Sequence, residues 1–223
     1  METLTLADEL ALLAYDDEGS AQLGTPALDY GLAGALLIEL ALAERVDIID
    51  ERIVVTDATP LGHPVLDGAL AQIAADEKRR KPKDWVTKLN KDLRGRVLDG
   101  LAARGVLTRV DDKVMWVFPR TRYPAPYGVE PPAETAARHR LVAAVAADGP
   151  VDARTAALCA LVRAVKAEKQ VFADLPRDRV KDRLKEISEG DWAATAVKKA
   201  VEEMEAAIMV AVMIPVMTTA TNN

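Results

Sequence analysis

Cations dominate the residues whose types and spacing could do chemistry in this chain. Lys78, Arg79, Arg80, Lys81 and Lys83 place five positive charges in six positions, and Pro82 among them keeps the run out of a helix interior. At about 1 kcal/mol for each cation near an anionic membrane surface, the run could contribute up to about 5 kcal/mol, falling with salt. A solvated loop between two helices would have the same composition. Lys91, Arg94 and Arg96 form a second group. Lys91 and Arg94 are three apart and share a helix face, suited either to an anionic head group or to pairing with Asp92 or Asp99. A third candidate is Val114, Met115, Trp116, Val117 and Phe118, a strand so apolar that both of its faces need covering. Core packing would cover it. Membrane contact through Trp116 and Phe118 would also do so, with Arg120, Arg122 and Tyr123 as anchors at head-group level.

Catalytic patterns are sparse. His63 precedes Pro64 in a turn and His139 lies between Arg138 and Arg140, and neither has metal-ligand spacing. There is no phosphate-binding glycine loop and no serine-nucleophile elbow. Glu39, set in an apolar helix, is the one acid expected to be buried. It is read as a structural carboxylate paired with an arginine, in preference to a base with a raised pKa. The expectation is a non-enzymatic protein with no cofactor and no metal. Cys159 is the only cysteine, which excludes an internal disulfide framework and suggests a reducing compartment. With no signal peptide visible, the expected location is cytoplasmic. A net charge of −6 argues against general nucleic-acid affinity.

These residues must be positioned by a mainly α, compact helical domain with short β-hairpins. The chain has 223 residues, half of them apolar, enough for one domain over 1–223. Abundant alanine and few aromatics favour helices. Hydrophobic periodicity predicts helices near Thr5 to Ala14, Gly31 to Arg45, Val65 to Glu77, Lys83 to Arg104, Ala133 to Ala147, Asp152 to Ala167, Pro176 to Ile187 and Trp192 to Val212. Val46 to Ile49 and Ile53 to Val55 read as one hairpin, and Val106 to Arg109 with Val114 to Phe118 as another, turning at Asp111, Asp112 and Lys113. Pro119 to Pro132 reads as a loop within the domain. The longest apolar run, Ala206 to Met217, is too short to cross a bilayer and contains Pro215. It reads as a buried terminal helix, with interfacial insertion as the sharper alternative, since Lys198, Lys199, Glu202, Glu203 and Glu205 make the helix amphipathic.

The block Gly31, Leu32, Gly34, Leu37, Ile38, Glu39, Leu40, Ala41 and Leu42, followed by Asp57 and Ala58, resembles the Golgi phosphoprotein 3 family. Leu4, Thr5, Leu6 and Glu9, then Val65, Leu66, Asp67, Ala69 and Leu70, then Trp85 and Leu101 to Thr108, extend the resemblance in the same order. It implies a peripheral membrane protein that binds phosphatidylinositol 4-phosphate or another anionic head group, and a possible homo-oligomer. It implies head-group roles for Lys91 and Arg94, and a membrane- or subunit-facing hairpin at Val114 to Phe118. The family's two other head-group positions, a tryptophan and an arginine, fall here on Gly24 and Ala33, and lysine at 91 lacks the bidentate fork of arginine. The alanine-rich composition hints at a bacterial source. Two other readings stand beside this one. From Lys83 to Phe118 the order of elements also describes a winged helix that binds nucleic acid, and a protein-interaction scaffold would need neither lipid nor DNA.

Overall fold

Thr5 begins the first helix by a reciprocal cap. Its hydroxyl accepts from the Asp8 amide at 3.1 Å, and the Asp8 carboxylate accepts from the Thr5 amide at 2.9 Å. The computed structural model describes residues 4–114, 118–190, 193 and 195–220. In chain order the helices are α1 (Leu6–Leu13), α2 (Thr25–Leu42), α3 (Pro64–Ala74), α4 (Pro82–Leu89), α5 (Leu93–Ala103), α6 (Pro132–Ala146), α7 (Ala153–Ala164), α8 (Glu168–Val171), α9 (Arg177–Glu189) and α10 (Thr195–Ala220). The strands are β1 (Val46–Ile49), β2 (Arg52–Val55), β3 (Val110–Val114) and β4 (Phe118–Arg122), paired as two separate antiparallel hairpins. The architecture is mainly α, as the composition suggests.

The centre of the fold is α2. Leu28, Leu32, Ala33, Leu36, Leu37, Ile38 and Leu40 are all buried, so the helix is apolar on every side and is surrounded by α1, α4, α5, α7 and α10. Each such leucine or isoleucine contributes about 1.5–3 kcal/mol of burial. Two glycines let neighbouring helices come close. A Cβ on Gly31 would lie 2.3 Å from the Val165 side chain, and one on Gly34 would lie 2.3 Å from Ile208. The helix begins at Thr25, earlier than the Gly31 expected, because Pro26 at the first turn sets helical φ.

Three boundaries differ from the periodicity reading. Lys83 to Arg104 is two helices, since Asp92 takes a left-handed φ of 55° and ends the α4 run. The apolar spacing from Leu89 to Leu93 continues across that break, which is why a single helix was expected. The second hairpin pairs Val110 with Arg122 and Val114 with Phe118. Asp111, Asp112 and Lys113 therefore lie in a strand and not in the turn. Pro119 to Arg122 is likewise strand, and the loop starts only after it.

Buried ions tie the ends of the fold together. Asp8 is paired with Arg104 at 2.7 Å, Glu9 with Arg140 at 3.0 Å, and Glu39 with Arg154 at 2.7 Å. Glu39 also accepts from the Leu6 amide at 2.6 Å. It is thus the structural carboxylate expected, but it is not the one buried acid. Asp8, Glu9, Glu134 and Glu205 are more deeply buried; distant arginines lie over Asp8, Glu9 and Glu205, which local pattern does not show, whereas Glu134 pairs with Arg138 one turn along its own helix.

Glu134 on α6 carries the clearest pH dependence. It pairs with Arg138 at 2.6 Å, yet burial, aided by Glu130 and Asp17, pushes its carboxyl up to about 7. The folded state then holds this proton more tightly than the unfolded chain, whose glutamate titrates near 4.5. Its stabilisation is complete below that value and is lost as pH rises through about 7. Glu134→Gln is expected to raise Tm more at pH 8 than at pH 5, read by thermal melts across that range. An equal shift at both ends would contradict the assignment.

Candidate anion-binding site

Two helix N-termini meet at one end of the molecule. Gly24 caps α2 without any side-chain hydrogen bond, and Asp92 caps α5 likewise. The first amides of both helices are therefore left without side-chain acceptors, and both helix dipoles present their positive ends. The left-handed Asp92 turns the chain between α4 and α5, leaving Lys91 exposed and placing Arg94 at the second residue of α5. Arg94 reaches across to Asp29, in the second turn of α2, with Nε and Nη2 each 2.8 Å from Oδ1. The expected partners Asp92 and Asp99 are replaced by Asp29, 65 residues away, a pairing with no signal in local sequence.

Burial dominates the electrostatics of this corner. Burial raises the pKa of Asp29 although Arg94 pulls the other way, and burial likewise raises that of Tyr15, whose hydroxyl is within hydrogen-bonding reach of Arg94. Arg94 is thus held by Asp29 and Tyr15, while Lys91 above it faces solvent. Tyr15 and Asp29 were both missed from the sequence. A Cβ added at Gly24, where the resembled family has its tryptophan, would meet nothing within 4 Å. Ala33 is different. It lies one turn beyond Asp29 on the same face and is fully buried, so no side chain from that position reaches the corner.

The remaining candidates lie elsewhere. Lys78, Arg79, Lys81 and Lys83 are exposed on the loop before α4 and at its first turn. Lys91 is just past the other end of that helix, about 12 Å away along its axis. Within the loop, Arg80 pairs with Asp76 at 2.8 Å, as does Lys88 at 2.5 Å, and Lys81 pairs with Glu51 at 2.6 Å. Lys88 and then Arg80 hold the Asp76 carboxyl well below the usual carboxylate range. The loop is also fixed by its main chain. The Ile53 amide donates to the Arg80 carbonyl at 3.0 Å, and the Arg52 guanidinium donates to the Arg79 carbonyl. On β4, Arg122 pairs with Asp112 at 2.7 Å and Arg120 donates to the Ser20 hydroxyl at 3.0 Å. The Arg122–Asp112 pair bridges the two strands of the hairpin, while Arg120, with a longer bond from Arg122 to the Glu18 carbonyl at 3.4 Å, fastens the hairpin to its surroundings. Trp116 lies outside the described residues, and Phe118 stands in β4 opposite Val114.

Comparison with known proteins decides the family. The model of Golgi phosphoprotein 3 (GPP34) matches residues 6–204. The chain belongs to the Golgi phosphoprotein 3 family. Vacuolar protein sorting-associated protein 74 of Eremothecium gossypii is 30% identical over 146 residues, covering 55% of this chain and 44% of that protein. The chain thus spans less than half the length of the curated relative it matches. Among the described residues, no helix of this Golgi phosphoprotein 3 family member is long and apolar enough to cross a membrane.

Proposed function

We propose that the protein is a non-catalytic peripheral membrane protein that binds anionic lipid head groups, including phosphoinositides, through Lys91 and Arg94. The observation that carries this reading is the Asp29–Arg94 pair at 2.8 Å, which joins two uncapped helix N-termini beside an exposed lysine. Such a corner supplies amide dipoles and cations to a phosphate. Family membership supports the choice of a lipid as the source of that phosphate. With lysine at 91, glycine at 24 and a buried alanine at 33, recognition rests on charge more than on a fitted inositol pocket.

Flotation with phosphatidylcholine vesicles carrying either phosphatidylserine or phosphatidylinositol 4-phosphate tests the reading. Replacing Lys91 and Arg94 together with Ala should weaken binding by about 2 kcal/mol, roughly thirtyfold, at low salt, and by less as salt rises. Unchanged binding would transfer the contact to Lys78, Arg79 and Lys83. Retention on nonspecific DNA, with no vesicle binding, would favour the nucleic-acid alternative.

A further inference from the structure

The final helix, α10, runs past α2 toward the end of the molecule that carries the candidate site. Ala41 and Val46 share a cleft with Val197 and Ala200, whereas Gly34 is in contact with Ile208. The two helices therefore run antiparallel, and the C-terminal half of α10 passes toward the N-terminus of α2. Met213 is five residues beyond Ile208, and Asp29 five residues before Gly34, so both lie about 7.5 Å along their axes from the contact. Met213 is thus level with the Asp29–Arg94 pair. α4 also packs against α10, and its N-terminal Lys81 pairs with Glu51, which feels the charge of Lys199 near the start of α10. α4 and α10 thus begin at the same end, and Lys91, beyond the end of α4, is carried toward the later part of α10.

Chemically, this part of α10 is unlike its beginning. Lys198, Lys199, Glu202, Glu203 and Glu205 give way to a run from Ala206 to Met217 without one charged residue. Ala207, Ile208 and Ala211 are buried against the core, but Val210 is 45% exposed and Met213 51% exposed. These are two of the few large apolar side chains the described surface leaves open. Cations at the same end of the molecule as exposed apolar side chains on an uncharged helix end suit a surface whose outer layer is anionic and whose next layer is hydrocarbon.

We infer that the end of α10, through Val210 and Met213, enters the interfacial layer of an anionic bilayer while Lys91 and Arg94 hold head groups. The inference rests on the proposed lipid-binding function and adds to it a second, apolar contact. A bilayer fits this patch better than a second copy of the chain. Among the described residues, two half-exposed side chains offer far less than the about 800 Å² per partner that a stable protein interface buries, whereas insertion needs only a few apolar groups at the headgroup boundary.

The test uses the full chain. Cys159 is buried and its thiol pKa is pushed up to about 12, so a Met213→Cys variant takes an environment-sensitive dye at position 213 alone. With phosphatidylcholine vesicles containing phosphatidylserine, the dye should shift to the blue and be quenched by lipids brominated near the head group. In flotation, Val210→Asp with Met213→Asp should bind those vesicles at least about tenfold more weakly, with an unchanged circular dichroism spectrum. Flotation of the wild type with a dye insensitive to vesicles overturns the insertion and leaves head-group binding standing. No flotation of the wild type overturns both. A dye shift that follows protein concentration without vesicles overturns the insertion in favour of a second copy.

Discussion

Gly34→Ala is expected to lower stability by about 1–3 kcal/mol, a large loss for the addition of one methyl group. The new carbon would be built 2.3 Å from Ile208 Cδ1 and 2.7 Å from Cγ1, closer than any real contact, so α10 must shift or Ile208 must change rotamer. Ala itself favours a helix over Gly by up to about 1 kcal/mol, so a net loss would show that the close approach of α2 and α10 prevails. Ile208→Ala, made alone, should cost about 2–5 kcal/mol through the cavity it leaves. The informative variant combines the two. Because the added and deleted atoms compete for the same space, the double variant should be more stable than the sum of the single losses predicts, by about 1 kcal/mol or more. Urea denaturation of the four proteins measures this, and strict additivity would show that the helices separate without cost.

Asp8→Ala should cost about 3–5 kcal/mol, the range for removing one partner of a buried ion pair. Asp8 is 1% exposed. Its Oδ1 faces Arg104 Nη2 at 2.7 Å, and its Oδ2 accepts the Thr5 amide and lies 3.8 Å from His63 Nε2. Arg104 Nη1 and His63 Nδ1 are already buried without a partner, so the alanine variant leaves a guanidinium with its principal acceptor removed and nothing to replace it. The cap on α1 is lost as well. Asp8→Asn, which retains the shape and one acceptor, should recover part of the loss. If thermal melts show both variants within about 0.5 kcal/mol of wild type, the pair is not what anchors α1.

Much of the fold was readable along the chain because it is repetitive in the way helices are. The wide apolar face of α2, the Pro82 start of α4 and the β1–β2 hairpin follow from periods of three to four, from proline chemistry and from strand propensity. The errors fall where a local period is indifferent to the outcome. Leu89 and Leu93 are in phase whether or not Asp92 breaks the helix. The apolar run from Val114 to Phe118 reads as one strand and so suggests a pairing partner four residues too early. The candidate site was half readable. Lys91 and Arg94 announce themselves by charge and spacing, whereas Asp29 and Tyr15 join them only because α1, α2 and α5 converge in three dimensions. The burial of Ala33 was equally hidden, since an alanine carries almost no information about which way it faces.

The basic loop has a consequence apart from any membrane. By receiving the Ile53 amide at the Arg80 carbonyl, it lies along the outer edge of β2, where an unpaired strand edge would otherwise stand open. α10 packs over β1 on the other side. A two-stranded sheet rich in valine and isoleucine is the sort of segment that recruits strands from other molecules. Here an incoming strand would have to displace a loop bearing Lys78, Arg79 and Lys81, and the positive charges would repel an identical loop on its neighbour. The same cations that invite a lipid reading thus also guard the hairpin against self-assembly, and replacing them would test solubility as much as binding.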